Sequence, residues 1–268
     1  MGTVIQAIST GGRTKNYVEY GTKLLYNNTI KICGWRTICM KVDNIDAFLA
    51  AVRNEYICAR YPLHSDNTCI RRGRSRAISG ISEDLFAELL CNCLHEKDLC
   101  FFVDQPLSGC VHKVYPDVIV ARSLGGNNFE ILYMIDLKMD VGYHRNITVG
   151  ATPSQTYVEK AAELLSVLSA LQKVTEFTIS AKSNDSHSRY FFSLSPCASY
   201  DEVIITSKNA GNKQKEEELI HFSNDPQSNI WVLSTGSHPN DYADRVSIIP
   251  LYDDWNMLLR KIKKNIEL

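Results

Sequence analysis

Residues 115–139 read YPDVIVARSLGGNNFEILYMIDLKM, and this stretch decides the fold. Asp117–Arg122 reads as a strand beginning after Pro116. Gly125, Gly126, Asn127 and Asn128 form a turn, and Phe129–Met139 is a long second strand. Side chains alternate along a strand, so Asp136 and Lys138 project from one face while Ile135 and Leu137 pack on the other. Asp117 stands at the start of the neighbouring strand. Two carboxylates and a lysine thereby converge on adjacent strands flanked by Val118, Ile119, Ile131 and Ile135. Ionised groups in such apolar surroundings are costly unless they bind something charged. Oxygen-only donors suit a hard cation such as Mg²⁺, which takes one or two carboxylates, waters and substrate phosphate.

The pattern stays regular outward from this hairpin. Ile81–Leu94 reads as a helix and Leu99–Val103 as a short strand. Downstream, Thr152, Pro153 and Gln155 supply an N-cap, an N1 proline and an N3 partner. Tyr157, Ala161, Leu164, Leu168 and Leu171 make one apolar stripe of the helix that follows. Strands are expected at Glu176–Ala181, Tyr190–Leu194, Glu202–Ser207, Ile230–Ser234 and Val246–Pro250. Trp255, Leu258, Leu259, Ile262 and Ile266 close the chain as an amphipathic helix. The order helix, three strands, helix, strands predicts an α/β sandwich on a mixed sheet.

Ahead of this region, Thr29–Cys33 and Thr37–Val42 read as strands. Ile45, Phe48, Leu49, Val52 and Tyr56 follow helical spacing, with Asp43 or Asn44 as N-cap. Residues 59–80 are polar and carry the cluster Arg71, Arg72, Arg74 and Arg76. The division expected is an N-terminal segment at 1–79, serving recognition or dimerisation, and a domain at 80–268.

The chain has 268 residues, 44% apolar and 22% charged, which excludes a disordered or collagenous protein. No run approaches the roughly 18 apolar residues of a membrane span, and Met1–Thr10 lacks the features of a secretory signal. A soluble, cytoplasmic protein without membrane partners is expected. The net charge of −1 carries no global basicity, but nucleic acid requires positive potential only along one groove. Nine cysteines read as reduced, mostly buried thiols. A zinc site from Cys91, Cys93, His95, Cys100, Cys110 and His112 is disfavoured, because Cys91 and Cys93 face different ways on a helix.

Pro116-Asp117 followed by Asp136-Leu137-Lys138 resembles the PD-(D/E)XK nuclease superfamily, which includes many type II restriction endonucleases. Among the eight prolines only Pro116 precedes an aspartate, and only Lys138 among the lysines has an acid two residues before it. Both fall on adjacent strands in the right order, ahead of a capped helix. The resemblance covers about residues 80–208. It implies a restriction-endonuclease-like mixed central β-sheet flanked by helices, with N-terminal and C-terminal elaborations.

The family also tends to supply a glutamate from the helix before the sheet. At about 100° per residue, Glu83 falls inside the apolar arc made by Leu85, Phe86, Leu89, Leu90, Cys93 and Leu94, whereas Asp84 and Glu88 fall opposite. Glu83 is therefore the expected acid and Glu88 the reserve. By the resemblance, Asp117, Asp136 and the Leu137 carbonyl would hold Mg²⁺. Lys138 would orient or help deprotonate the attacking water, and Glu83 would order a water or a second ion. The arginine cluster is a candidate phosphate-contacting loop; His144 and Arg145 follow the second strand closely.

The expected protein is a Mg²⁺-dependent endonuclease of double-stranded DNA, like a type II restriction enzyme. A homodimer is expected, since cutting both strands of a symmetric site calls for two sites related by a twofold axis. The same residues would serve a structure-specific, repair or RNA nuclease. A non-catalytic nucleic-acid-binding module on the same fold is the alternative of a different class.

Overall fold

The computed structural model describes residues 9–10, 13–14, 41–60, 76–108, 114–140, 153–174, 177–183, 186–208, 229–241 and 246–267. The chain divides into a unit at residues 1–39 and another at 40–268. In the first, two short strands, β1 (Ser9–Thr10) and β2 (Arg13–Thr14), pair antiparallel. The strand expected at Thr29–Cys33 lies outside the described residues.

The second unit opens on α1 (Ile45–Ala59), where the Asn44 side chain accepts a hydrogen bond from the Ala47 N–H at 2.9 Å. Asn44 is one of the two N-cap candidates, Asp43 or Asn44, read from the sequence. The helix α2 (Ser79–Leu94) ends on His95 in the left-handed conformation. Phe86 of α2 is fully buried and packs edge-on against Phe48 of α1. The boundary expected at 79/80 therefore moves to 39/40. The apolar stripe of α1 has its partner in α2, so residues 45–59 belong to the core of the main unit.

The strands β3 (Leu99–Val103), β4 (Val118–Gly125) and β5 (Asn128–Asp140) form an antiparallel meander. Next come α3 (Pro153–Leu171), β6 (Phe177–Ser183) and β7 (Ser186–Thr206). Then follow β8 (Ile230–Val232), β9 (Ser234–Gly236), β10 (Ile248–Pro250) and α4 (Tyr252–Glu267). The sheet order is β3-β4-β5-β7-β6, with β8 also on β7. β7 runs parallel to β5 and β8 and antiparallel to β6, so the sheet is mixed.

Two strands expected at Tyr190–Leu194 and Glu202–Ser207 are halves of the single strand β7. Ser195–Ala198 between them bulges: Leu194 pairs with Ile131, but the next partners are Ser199 and Tyr133. Pro196 has no N–H to give to a ladder, which is why such a residue sits in a bulge.

Helices cover both faces of the sheet. Val118, Val120, Tyr133, Ile135, Leu137, Val203 and Ile205 face α1, α2 and α4. Ile119, Ala121, Met134 and Tyr200 face Leu164 and Leu171 of α3. At the edge of that second core, Phe102 meets Phe129 and Phe192 edge-on at 5.1 and 5.0 Å, an arrangement that adds to simple burial. Among the described residues, no helix is long and apolar enough to cross a membrane.

Candidate active site

The ladder between β4 and β5 pairs Val118 with Ile135, so one step beyond it Asp117 stands directly across from Asp136. Directly opposed side chains share a face, about 4.5–5.5 Å apart at Cβ. Asp117 and Asp136 lie in line with Ile119 and Met134, on the face covered by α3. Lys138 bonds directly to Asp136 Oδ1, and its ammonium is 3.8 Å from Asp117 Oδ2. The Leu137 N–H donates to Asp117 Oδ2 at 2.5 Å, which ties the two strands at the site. The side chains of Asp117, Asp136 and Lys138 keep 20%, 13% and 26% of their surface exposed, so a ligand can reach them.

Like charges set opposite each other repel, and burial adds to the cost of charging both. Burial, reinforced by the hydrogen bond to Asp136 and the Asp136 charge, pushes the Asp117 carboxyl up to about 7. Burial also works against charge on Asp136. Lys138, the hydrogen bond with Asp117, and Lys160 outweigh it and hold Asp136 below the usual carboxylate range. Burial would lower Lys138, but Asp136, Asp117 and Glu202 prevail and raise it. The lysine is therefore an ammonium at neutral pH, suited to donating hydrogen bonds and balancing negative charge.

Glu83 is half-buried near the start of α2, and Glu88 is exposed. The Glu83 carboxyl is raised by burial and by the negative charges of Asp104, Asp84 and Asp136, while Lys138 opposes them. It thus senses both Lys138 and Asp136, though no ion pair links it to them among the described interactions. Asp104 adds a further acid at this end of the sheet: its N–H donates to the Asp117 carbonyl at 2.9 Å, and its φ of 47° is left-handed.

Three residues of the site escape the motif. Lys160 of α3 places its ammonium 3.4 Å from Asp136 Oδ2, 4.0 Å from Glu202 Oε2 and 3.3 Å from Glu163. Glu202 of β7 pairs in register with Asp136 and is fully buried. Tyr200, two residues earlier on the same face, is nearly buried, and its hydroxyl is raised by burial and by Asp136, Asp117, Glu163 and Glu202. A signal for Lys160 was present in the sequence: it precedes Leu164, Val167 and Leu171 at helical spacing, a lysine inside an apolar stripe. Glu202 had none, because its place depends on the parallel register of β5 and β7.

Of the other candidates, Arg71, Arg72, Arg74, His144 and Arg145 lie outside the described residues. Arg76 donates to the Cys58 carbonyl at 2.9 Å at the end of α1. The Leu137 side chain lies in the core on the opposite face. Cys110 and His112 of the disfavoured zinc set are outside the described residues, Cys91 is exposed and Cys93 half-buried.

Among the described residues, no three His, Cys, Asp or Glu side chains cluster as a metal site. Asp117 and Asp136 supply two carboxylates in mutual contact, with oxygen donors only. This donor set fits Mg²⁺, which needs one or two carboxylates and fills its remaining positions with water and phosphate. A cation would also offset the burial and the Asp136 charge that together raise Asp117. No family model, no curated protein and no solved structure matches the chain.

Proposed function

We propose that the protein is a Mg²⁺-dependent endonuclease of double-stranded DNA, on a restriction-endonuclease-like variant of the mixed α/β fold. The observation that carries this reading is the contact between Asp117, Asp136 and Lys138 at the accessible end of two neighbouring strands. The resemblance of these residues to the PD-(D/E)XK pattern agrees with it, as does the order of a helix, three strands and a helix, α2, β3, β4, β5 and α3, followed by β6 and β7. In this reading Asp117 and Asp136 hold the metal, with the Leu137 carbonyl as a further donor.

Mg²⁺ would neutralise charge on the phosphate and lower the pKa of a coordinated water. The chain's own groups do the rest. The Lys138 ammonium donates to the attacking water and to the phosphate oxygen on which charge builds. Water oxygen bonds to phosphorus, one P–O ester bond breaks, and the departing oxygen takes up a proton. Glu83, whose carboxyl feels the charges of Lys138 and Asp136, would order a water or a second ion. Cutting both strands of a duplex calls for two such sites, so a homodimer belongs to the same reading. Arg71, Arg72 and Arg74 are its proposed phosphate contacts.

The test is incubation of the purified protein with plasmid DNA and Mg²⁺, with single-stranded DNA and RNA beside it. Cleavage of duplex DNA supports the reading. Cleavage of single strands or RNA alone assigns the same site to a different nuclease. Metal-dependent binding of duplex without cleavage assigns the chain to non-catalytic binding modules.

A further inference from the structure

Both oxygens of Asp136 are met by ammonium groups from different elements. Lys138 of β5 bonds to Oδ1, and Lys160 of α3 stands 3.4 Å from Oδ2. Lys160 reaches there from the buried stripe of α3, and its side chain keeps 17% of its surface exposed, less than the 26% of Lys138. Drawing an ammonium into an apolar stripe costs solvation that a leucine in the same place would not. Its return is a cation at the centre of the acids. The buried Glu202 carboxylate lies 4.0 Å away on one side, and the exposed Glu163 carboxylate is 3.3 Å away on the other.

Position has a chemical consequence. Each carboxylate oxygen has two lone pairs, so Asp136 can take a metal ion while Lys138 stays bonded to Oδ1, but the Lys160 ammonium 3.4 Å from Oδ2 repels a second cation placed there. Lys138 is shared with Asp117, on the same pair of strands as both acids. Lys160 comes from the helix above, on a long flexible stem, and can turn away without disturbing a strand. Once released it remains over the face where an anionic ligand of the two aspartates would lie.

We propose that Lys160 is a second lysine of the phosphodiester site, neutralising Asp136 and Glu202 in the free protein and contacting the phosphate when metal and substrate are bound. This role rests on the nuclease reading, and it adds a phosphate-binding group that the motif does not contain. It also makes Lys160 a competitor of the metal in the absence of nucleic acid.

The experiment compares the parent chain with Lys160→Met, Lys160→Arg and Lys160→Met/Glu202→Gln. The double variant guards against misfolding, since removing a buried pair together avoids stranding one charge. Three quantities are read: Ca²⁺ affinity without nucleic acid, salt dependence of binding to a short duplex in Ca²⁺, and cleavage rate in Mg²⁺. The expected result for Lys160→Met is tighter Ca²⁺ binding, a log–log salt slope smaller by about 0.9, and cleavage slower by about 10²-fold. Lys160→Arg should recover most of the salt slope and part of the rate. A lysine that only pins α3 to the sheet would leave the salt slope unchanged, and that result overturns the proposal. A parent that cuts beside a Lys160→Met chain that cuts equally well overturns this role and leaves the nuclease reading standing. A parent that neither binds nor cuts nucleic acid overturns both.

Discussion

Asp117 accepts the Leu137 N–H and faces Asp136 across the ladder, so its proton state affects both the fold and the site. Its carboxyl is raised from 3.8 to about 7 by burial and by Asp136. The folded chain therefore binds a proton that the unfolded chain has already released between those values. Stability held below about pH 4 should fall as pH rises toward 7. In Asp117→Asn this part of the dependence should vanish, leaving the variant more stable than the parent at pH 7. Urea unfolding across pH 4–8 checks the difference, and parallel curves for the two chains would contradict it. The motif residues were legible in the sequence because Pro116-Asp117 and Asp136-x-Lys138 occur once each and fall on strands whose alternation is plain. Lys160 was legible only as a misplaced charge in an apolar stripe. Glu202 was not legible, because its neighbour Asp136 is set by pairing between strands far apart in the chain.

The helix α4 is held by a buried polar anchor. Asp201 of β7 is fully buried and accepts from Trp231 Nε1 at 2.6 Å, from Lys261 Nζ at 2.7 Å and from the Tyr133 hydroxyl. Lys261 in turn donates to Asn229 Oδ1 at 2.7 Å and lies 5.6 Å from the centre of the Trp231 ring. The cluster ties α4 to β5, β7 and β8 on the face opposite the acids of the site. Asp201→Ala leaves Lys261 and two ring donors facing a cavity, and should cost about 3–5 kcal/mol. A urea midpoint followed by tryptophan fluorescence measures this, and a shift below about 1 kcal/mol, the size of an exposed pair, would contradict the anchoring role. Helix periodicity located α1, α2, α3 and α4 from apolar spacing, because each buries one stripe. The division of β7 into two was misread because Pro196 marks an interruption in sequence, whereas the strand absorbs it in a bulge and continues.

At the scale of the molecule, a mixed sheet lies between α3 on one face and α1, α2 and α4 on the other, and the acids open at one end of that sheet. The extent of the main unit was misjudged from sequence because the polar run after α1 looks like a boundary, while the apolar face of α1 needs α2 to cover it. Electrostatics at this scale bear on binding. Neutralising Arg71, Arg72 and Arg74 together should weaken duplex binding and flatten its salt dependence, by about 0.9 in log–log slope for each phosphate left without its arginine. Arg76 is left in place because it bonds to the end of α1. Affinity unchanged through a salt titration would return this segment to ordinary solvated surface.

In the proposed function Asp117, Asp136 and Lys138 hydrolyse phosphodiester bonds with Mg²⁺. Its most direct test is plasmid cleavage by the parent, Asp136→Ala and Lys138→Ala, with Mg²⁺ or with chelator, beside a gel shift in Ca²⁺. The parent should cut only with Mg²⁺. Lys138→Ala should bind duplex as the parent does but cut about 10²–10³-fold more slowly, and Asp136→Ala should cut more slowly still while binding at least as well. Variants that cut at the parental rate, or a parent inert with Mg²⁺ on duplex, single-stranded and RNA substrates, would contradict the claim.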